Sequence, residues 1–293
     1  MWCAFARTLV CPPSGLNCPA RWRPRRHSSA NCWRGFSPAC CGVSKLLSPS
    51  ALRLDLLPPA TAAVLAKLAQ EPVVSGFCLV GGTALALQAG HRRSLDLDLV
   101  RFSPTLDKQA LFRAMRAQGA ELITPQSAIS AARINGLDLL TRVQDYVLDG
   151  VKVQCFTYPE GLRHAPGSQP VEGWSFDLMN LDGLFAMKSA LLLKRARSRD
   201  YFDLMWFCQH GKTLDDILAA ALMADDAPDT PVVVEHKLLG LLPLDAEDEG
   251  LDPVGLTITL ADIHTYFESL VHTREIAEAR KLLEQSPPSK RGA

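Results

Sequence analysis

The sequence predicts a mixed α/β (α+β) front followed by an all-helical back. Three observations carry this. Short apolar or alternating runs bounded by glycines or turn residues are confined to residues 77–158. Asp149-Gly150 stands between RVQDYVL and VKVQCFTY, and an Asp-Gly pair between alternating runs is a strong hairpin signal. From residue 181 onward the apolar positions recur at helical rather than strand spacing.

The elements follow in order. Leu52–Leu57 with Pro58-Pro59 reads as an entry segment, and Thr61–Gln70 has helical spacing. Phe77–Val80 is a short apolar strand ended by Gly81-Gly82, and Thr83–Ala89 is a helix stopped by Gly90. Ser94–Val100 (SLDLDLV) alternates strictly and reads as a strand. Asp107–Ala117 is an amphipathic helix before Gly119, and residues 137–158 are paired strands. Leu181–Lys194 and Arg199–Gln209 are helices. Gly211 is a C-cap, and Thr213 is an N-cap for Leu214–Met223. The remainder is helical apart from an acidic, solvated loop, Asp245–Asp252. His236 and His264 read as surface or internally satisfied histidines, and no internal repeat is visible.

The formal charge of the 293 residues is zero, but it is unevenly placed. Residues 1–54 hold no acid and eight bases, so they carry +8; residues 55–293 hold 31 acids and 31 − 8 = 23 bases, hence −8. An acidic body argues against a broad basic cradle for duplex nucleic acid, although a local basic patch remains compatible with it. No uncharged apolar run approaches the roughly 20 residues that span a bilayer, so no membrane partner is expected. Six of nine cysteines lie in the first 41 residues. Cys78, Cys155 and Cys208 sit among apolar neighbours, as buried free thiols in the reducing cytoplasm do. Residues 1–50 read as a disordered extension, introduced by an upstream start codon; a targeting or nucleic-acid-binding arm is the alternative. That leaves residues 51–210 as a core and 211–293 as a helical C-terminal region.

Two constellations carry chemistry. In the first, alternation along SLDLDLV puts Leu95, Leu97 and Leu99 on one face and Ser94, Asp96 and Asp98 on the other. Carboxylates at i and i+2 are about 6–7 Å apart at Cα, close enough to share one hard cation, which removes their repulsion and can clamp a polyphosphate. Upstream, Gly81-Gly82-Thr83 joins a strand to a helix. Small residues there let backbone N–H groups and the Thr83 hydroxyl approach a phosphate. His91-Arg92-Arg93 adds a basic approach. A half-exposed strand after a tight turn is the plain alternative. In the second, Lys188 lies in an apolar helix face among Phe185, Met187, Leu191 and Leu192, and must reach water or an anion. Arg195, Arg197 and Arg199 follow, and Asp200 and Asp203 share a helix face at i, i+3. A solvated basic helix end with local Arg–Asp pairs is the alternative here.

The segment FCLVGGTALALQAGHRRSLDLDLV (77–100) resembles the nucleotidyltransferase toxins of the AbiEii/AbiGii type, in the polymerase-β-like nucleotidyltransferase superfamily. Their first motif is a small-residue turn, a short helix and Asp-x-Asp on the next strand. Arg199-Asp200-Tyr201-Phe202-Asp203-Leu204, after a helical lysine and a basic linker, is similar to their R-D-x-x-D-L. The resemblance covers roughly residues 60–285. It implies a core with a mixed sheet and magnesium (or manganese) held by Asp96 and Asp98. It also implies a nucleoside triphosphate near Gly81, Gly82 and Thr83, with Arg93 and Ser94 beside it, and Lys188 on its phosphates. Asp203, or Asp200, would contact the nucleotide or assist the incoming nucleophile. The implied activity is transfer of a nucleoside monophosphate to an acceptor, RNA such as a tRNA end or a protein. The implied setting is the toxin half of a type IV toxin–antitoxin or abortive-infection system, with a cognate antitoxin as partner.

One departure stands out. Many enzymes of the superfamily supply a third carboxylate from a later strand, and the matching position in VKVQCFTYP is Gln154. An amide is a poor general base and a weaker magnesium ligand. Asp149 falls in the hairpin turn and Asp145 earlier on the strand, neither well placed to replace it. A catalytically degenerate nucleotide- or partner-binding module on the same fold is therefore the rival reading.

Overall fold

Entry to the fold is irregular. In the computed structural model, which describes residues 46–158 and 167–285, Leu47 forms an isolated bridge to Val171 and the Arg53 amide donates to the Leu87 carbonyl. Residues 46–50, assigned to the extension from sequence, are thus tied to the body; residues 1–45 lie outside the described residues. Helix α1 (Pro59–Ala69) follows, started by Pro58-Pro59 and burying Val64, Leu65 and Leu68.

Strand β1 (Phe77–Val80) is buried at every position, the pattern of a central strand covered on both faces. It runs straight into α2 (Gly81–Ala89), which ends on Gly90 in the left-handed conformation (φ 68°). The next strand, β2 (Leu97–Arg101), pairs antiparallel with β1, Val80 opposite Asp98. Here the structure corrects the sequence expectation. Ser94, Leu95 and Asp96 precede the ladder, and Leu95 is 48 % exposed rather than buried with Leu97 and Leu99. Pairing with β1 begins only at Asp98, because β1 ends at Val80 where α2 starts.

Helix α3 (Lys108–Ala117) is N-capped by Asp107, whose side chain accepts from the Ala110 amide. Strand β3 (Glu121–Leu122) and helix α4 (Gln126–Ile134) come next. The hairpin of β4 (Val143–Leu148) and β5 (Val151–Thr157) turns at Asp149 (φ 50°) and Gly150 (φ 79°), the two positive-φ positions of a type I′ turn. Strands β6 (Ser168–Pro170) and β7 (Asp177–Met179) complete a mixed sheet of seven described strands, ordered β3-β4-β5-β2-β1-β7-β6. β2 is parallel to β5, and β1 is parallel to β7.

The helices behind the sheet are α5 (Leu181–Leu191), α6 (Ser198–Gln209), α7 (Leu214–Ala224), α8 (Thr230–Leu238) and α9 (Leu260–Gln285). α5 packs on α2, α6 and α7, while α9 packs on α6 and α8. Thr213 and Asp216 form a full capping box at the start of α7. Cys78 and Cys155 are buried and Cys208 half-buried, all three as free thiols. His264 Nδ1 donates to the Leu238 carbonyl (2.6 Å), a satisfied internal histidine.

Candidate functional site

The β1–α2 junction positions the site. Gly81 has φ +73°, and a Cβ built on it would stand 2.3 Å from Asp98 Oδ2. Only glycine fits both the conformation and the space. A Cβ on Gly82 would stand 2.7 Å from an Arg92 guanidinium nitrogen and 2.9 Å from Ser94 Oγ. So the two glycines bring the start of a helix onto Asp98, Arg92 and Ser94. The N-cap, Val80, offers no side-chain cap, and the first amides of α2 are a helix N-terminus with its positive field toward Asp98. Thr83 is fully buried and its hydroxyl donates to the Asp96 carbonyl. That differs from the expectation that this hydroxyl meets a phosphate: it fixes the backbone between Asp96 and Asp98 instead.

Asp96 and Asp98 are both half-buried. Burial raises the Asp98 carboxyl, the neighbouring Asp96 charge raises it further, and it stands at about 6 despite Arg195, Lys188 and Lys152 nearby. Burial also raises Asp96, with Lys152 and Arg199 opposing and Glu249 reinforcing the shift. The pair is a hard-oxygen donor set whose mutual repulsion a divalent cation would relieve. Among the described residues no cluster of three or more His, Cys, Asp or Glu side chains could hold a metal ion. A cation at Asp96 and Asp98 would therefore draw its other oxygens from an amide, water or a phosphate.

Behind this pair lies a buried ion network. Lys188 is 3 % exposed, and its Nζ is 2.6 Å from both Asp200 Oδ1 and Asp203 Oδ2. Arg195 grips Asp200 with two hydrogen bonds of 2.6 and 2.9 Å. Arg92 grips Asp203 in the same bidentate way, at 2.6 and 2.9 Å. His91 Nε2 lies 2.7 Å from Asp203 Oδ1. Because that carboxylate only accepts, Nε2 carries the proton; Nδ1 is buried with no hydrogen-bond partner among the described residues. Burial alone would raise both aspartates. Lys188 and Arg195 instead bring Asp200 down to about 2, and Arg92 and Lys188 hold Asp203 well below the usual carboxylate range. Burial lowers His91 more than Asp203 raises it, keeping the imidazole neutral.

The sequence-predicted residues thus fall into two layers. Gly81, Gly82, Ser94, Asp96 and Asp98 gather at the junction. Lys188, Asp200 and Asp203 lie within the network, and the partners of the two aspartates are the protein's own cations. Asp200 pairs with Arg195 and Lys188, not with its neighbour Arg199, which reaches Glu249 and the Gly250 carbonyl. Arg93 is exposed and pairs loosely with Asp252 (3.6 Å). The acidic segment 245–252, expected to be solvated, is instead strapped across the start of α6. Asp248 accepts from the Ser198 amide and hydroxyl, and the Arg93 amide donates to the Asp252 carbonyl. Sequence reasoning named His91, Arg92 and Arg195 only as parts of two basic runs and set Asp145 aside as badly placed, without assigning any of them a partner. The charged run 91–93 was visible, but not which of its members turns inward.

Against known proteins, the family model described as "Nucleotidyl transferase AbiEii toxin, Type IV TA system" matches residues 63–253. The chain belongs to this family. The match spans both constellations as well as the mixed sheet, and the type IV toxin–antitoxin assignment implies an antitoxin as partner. Among solved structures, JHP933 from Helicobacter pylori aligns at 14 % identity over 76 % of this chain and 96 % of its own, with a TM-score of 0.39. MenT4, the nucleotidyltransferase toxin Rv2826c from Mycobacterium tuberculosis H37Rv, aligns at 14 % identity over 77 % and 95 %, with a TM-score of 0.35. A search of curated proteins returns no match. No helix among the described residues of this AbiEii-family chain is long and apolar enough to cross a membrane.

Proposed function

We propose that this toxin is a cytoplasmic, magnesium-dependent nucleotidyltransferase that moves a nucleoside monophosphate from a nucleoside triphosphate to RNA, with a tRNA end as the first acceptor to test. The observation that carries the reading is the contact of Gly81 with Asp98. It sets a carboxylate pair against an uncapped helix N-terminus, where a triphosphate and its divalent cation would be held together. Asp96 and Asp98 would hold the ion, magnesium or manganese, which supplies neutralisation of the α-phosphate charge and of the leaving pyrophosphate. The amides of Gly81, Gly82 and Thr83 would receive phosphate oxygens, with Ser94 and Arg93 at the rim. Lys188 and Arg195, close enough to act on Asp98, would contribute positive charge where the transferred phosphoryl builds negative charge. Asp200 and Asp203 would hold Lys188, Arg195 and Arg92 in place for that role.

The test incubates the protein with each α-labelled triphosphate, magnesium and total tRNA. Label should transfer to RNA, and Asp96→Ala and Asp98→Ala should each abolish it. Nucleotide binding without transfer to any RNA or protein acceptor would replace this reading with a binding module.

A further inference from the structure

Register aligns Asp98 of β2 with Gln154 of β5, and Gln154 with Asp145 of β4. Register neighbours on adjacent strands present their side chains to the same face, so three polar side chains form a row leading outward from the site. Gln154 is 4 % exposed, a position where an unpaired amide is destabilising. Its Nε2 donates to Asp145 Oδ1 at 2.5 Å. A carboxylate has no proton to give, so nitrogen must be the amide atom that faces Asp145. The carbonyl oxygen is then the group left for the β2 side, where the register neighbour is Asp98.

We propose that Asp145 is a positioning residue that locks the Gln154 amide, so that its carbonyl oxygen rather than its NH₂ is offered beside Asp98 to a nucleotide-bound divalent cation. The inference rests on the metal reading of Asp96 and Asp98. Gln154 stands between Asp145 and Asp98 in the register, and Asp145 Oδ1 is taken up by the Gln154 amide at 2.5 Å. Asp145 therefore acts through the amide, as an outer-shell carboxylate acts through a ligating histidine. A flipped amide would turn two N–H donors toward a cation. In this way a site lacking the third carboxylate of its superfamily keeps a third protein oxygen.

Free Mn²⁺ is followed by its EPR signal in the presence of each of the four α,β-methylene nucleoside triphosphates. Asp98→Asn is the control for the metal reading and should abolish binding. Gln154→Ala and Asp145→Ala should each raise the Mn²⁺ Kd by about tenfold or more, and Asp145→Asn, whose carbonyl can still accept, should recover most of the loss. In ¹⁵N-glutamine-labelled protein, the Gln154 NH₂ pair, assigned by its disappearance in Gln154→Ala, should be protected from solvent exchange in the wild type and lose that protection in Asp145→Ala. Unchanged Kd in Asp145→Ala, with binding abolished in Asp98→Asn, overturns the inference and leaves the metal reading intact. Rapid exchange of the wild-type NH₂ pair overturns it even if Asp145→Ala fails to fold. Failure of the wild type to take up Mn²⁺ with any analogue overturns both.

Discussion

Replacing Gly81 by alanine tests the hinge on which the site turns. Gly81 has φ +73°, a conformation costing an L-residue roughly 1–2 kcal/mol. The new methyl would start 2.3 Å from Asp98 Oδ2, whereas ordinary contact begins at 3.4 Å, so the carboxylate must retreat by 3.4 − 2.3 = 1.1 Å. Pushing that side chain off its rotamer adds about 0.5–1.5 kcal/mol. The total, roughly 1.5–3.5 kcal/mol, is less than the 5–15 kcal/mol that typically holds a fold together. Gly81→Ala should therefore fold, with Tm lowered by roughly 5–10 °C. Activity should suffer more, since a displacement of about 1 Å at a catalytic group can reduce rate by about a hundredfold. Differential scanning calorimetry and labelled-nucleotide transfer read the two effects side by side. A Gly81→Ala protein that melts with the wild type and transfers label at the wild-type rate would refute the contact between this turn and Asp98.

Two further predictions concern the network behind the site. Asp203→Ala leaves Arg92 buried without its bidentate partner and Lys188 with half its charge compensation; it should lose roughly 3–5 kcal/mol in urea unfolding, and a loss below about 1 kcal/mol would show that the network is not structural. Asp200 has a folded pKa of about 2 against an ordinary 3.8, so its contribution of about 2 kcal/mol is full above the unfolded value and fades as pH falls through the folded one. The urea midpoint of the wild type should thus drop more steeply between about pH 5 and pH 2 than that of Asp200→Asn, and parallel slopes would count against the depressed value.

Much of the fold is legible in the chain, because the local signals agree with the tertiary answer. Phe77–Val80, the Asp149-Gly150 turn, the Gly90 stop and the Thr213 cap each rest on backbone preferences that act within a few residues. Strands β6 and β7 and helix α4 escape such reading. Three-residue strands have no period to detect, and Asp177–Met179 is a strand only because β1 offers its free edge in parallel register. Leu95 shows the same limit. Alternation told which side chains could share a face, but the end of β1 decided where the ladder starts.

The sequence by itself determined the residue types of the site: a glycine pair, two carboxylates at i, i+2, a lysine in an apolar helix and two aspartates on the next. Their spacing follows from the 2-residue and 3.6-residue periods of strand and helix. What only the tertiary structure decided is which charge meets which. Lys188 lies 12 residues from Asp200, while Arg92 lies 111 from Asp203. Packing α5 on α2 and α6, with Arg92 reaching Asp203 from the loop after α2, buries all four, and burial forces each cation onto a carboxylate because neither tolerates a low-dielectric interior alone. Asp145 was passed over although the two-residue Asp149-Gly150 turn already sets it opposite Gln154; what only the tertiary structure supplied is the pairing of β5 with β2, which brings that hairpin pair beside Asp98.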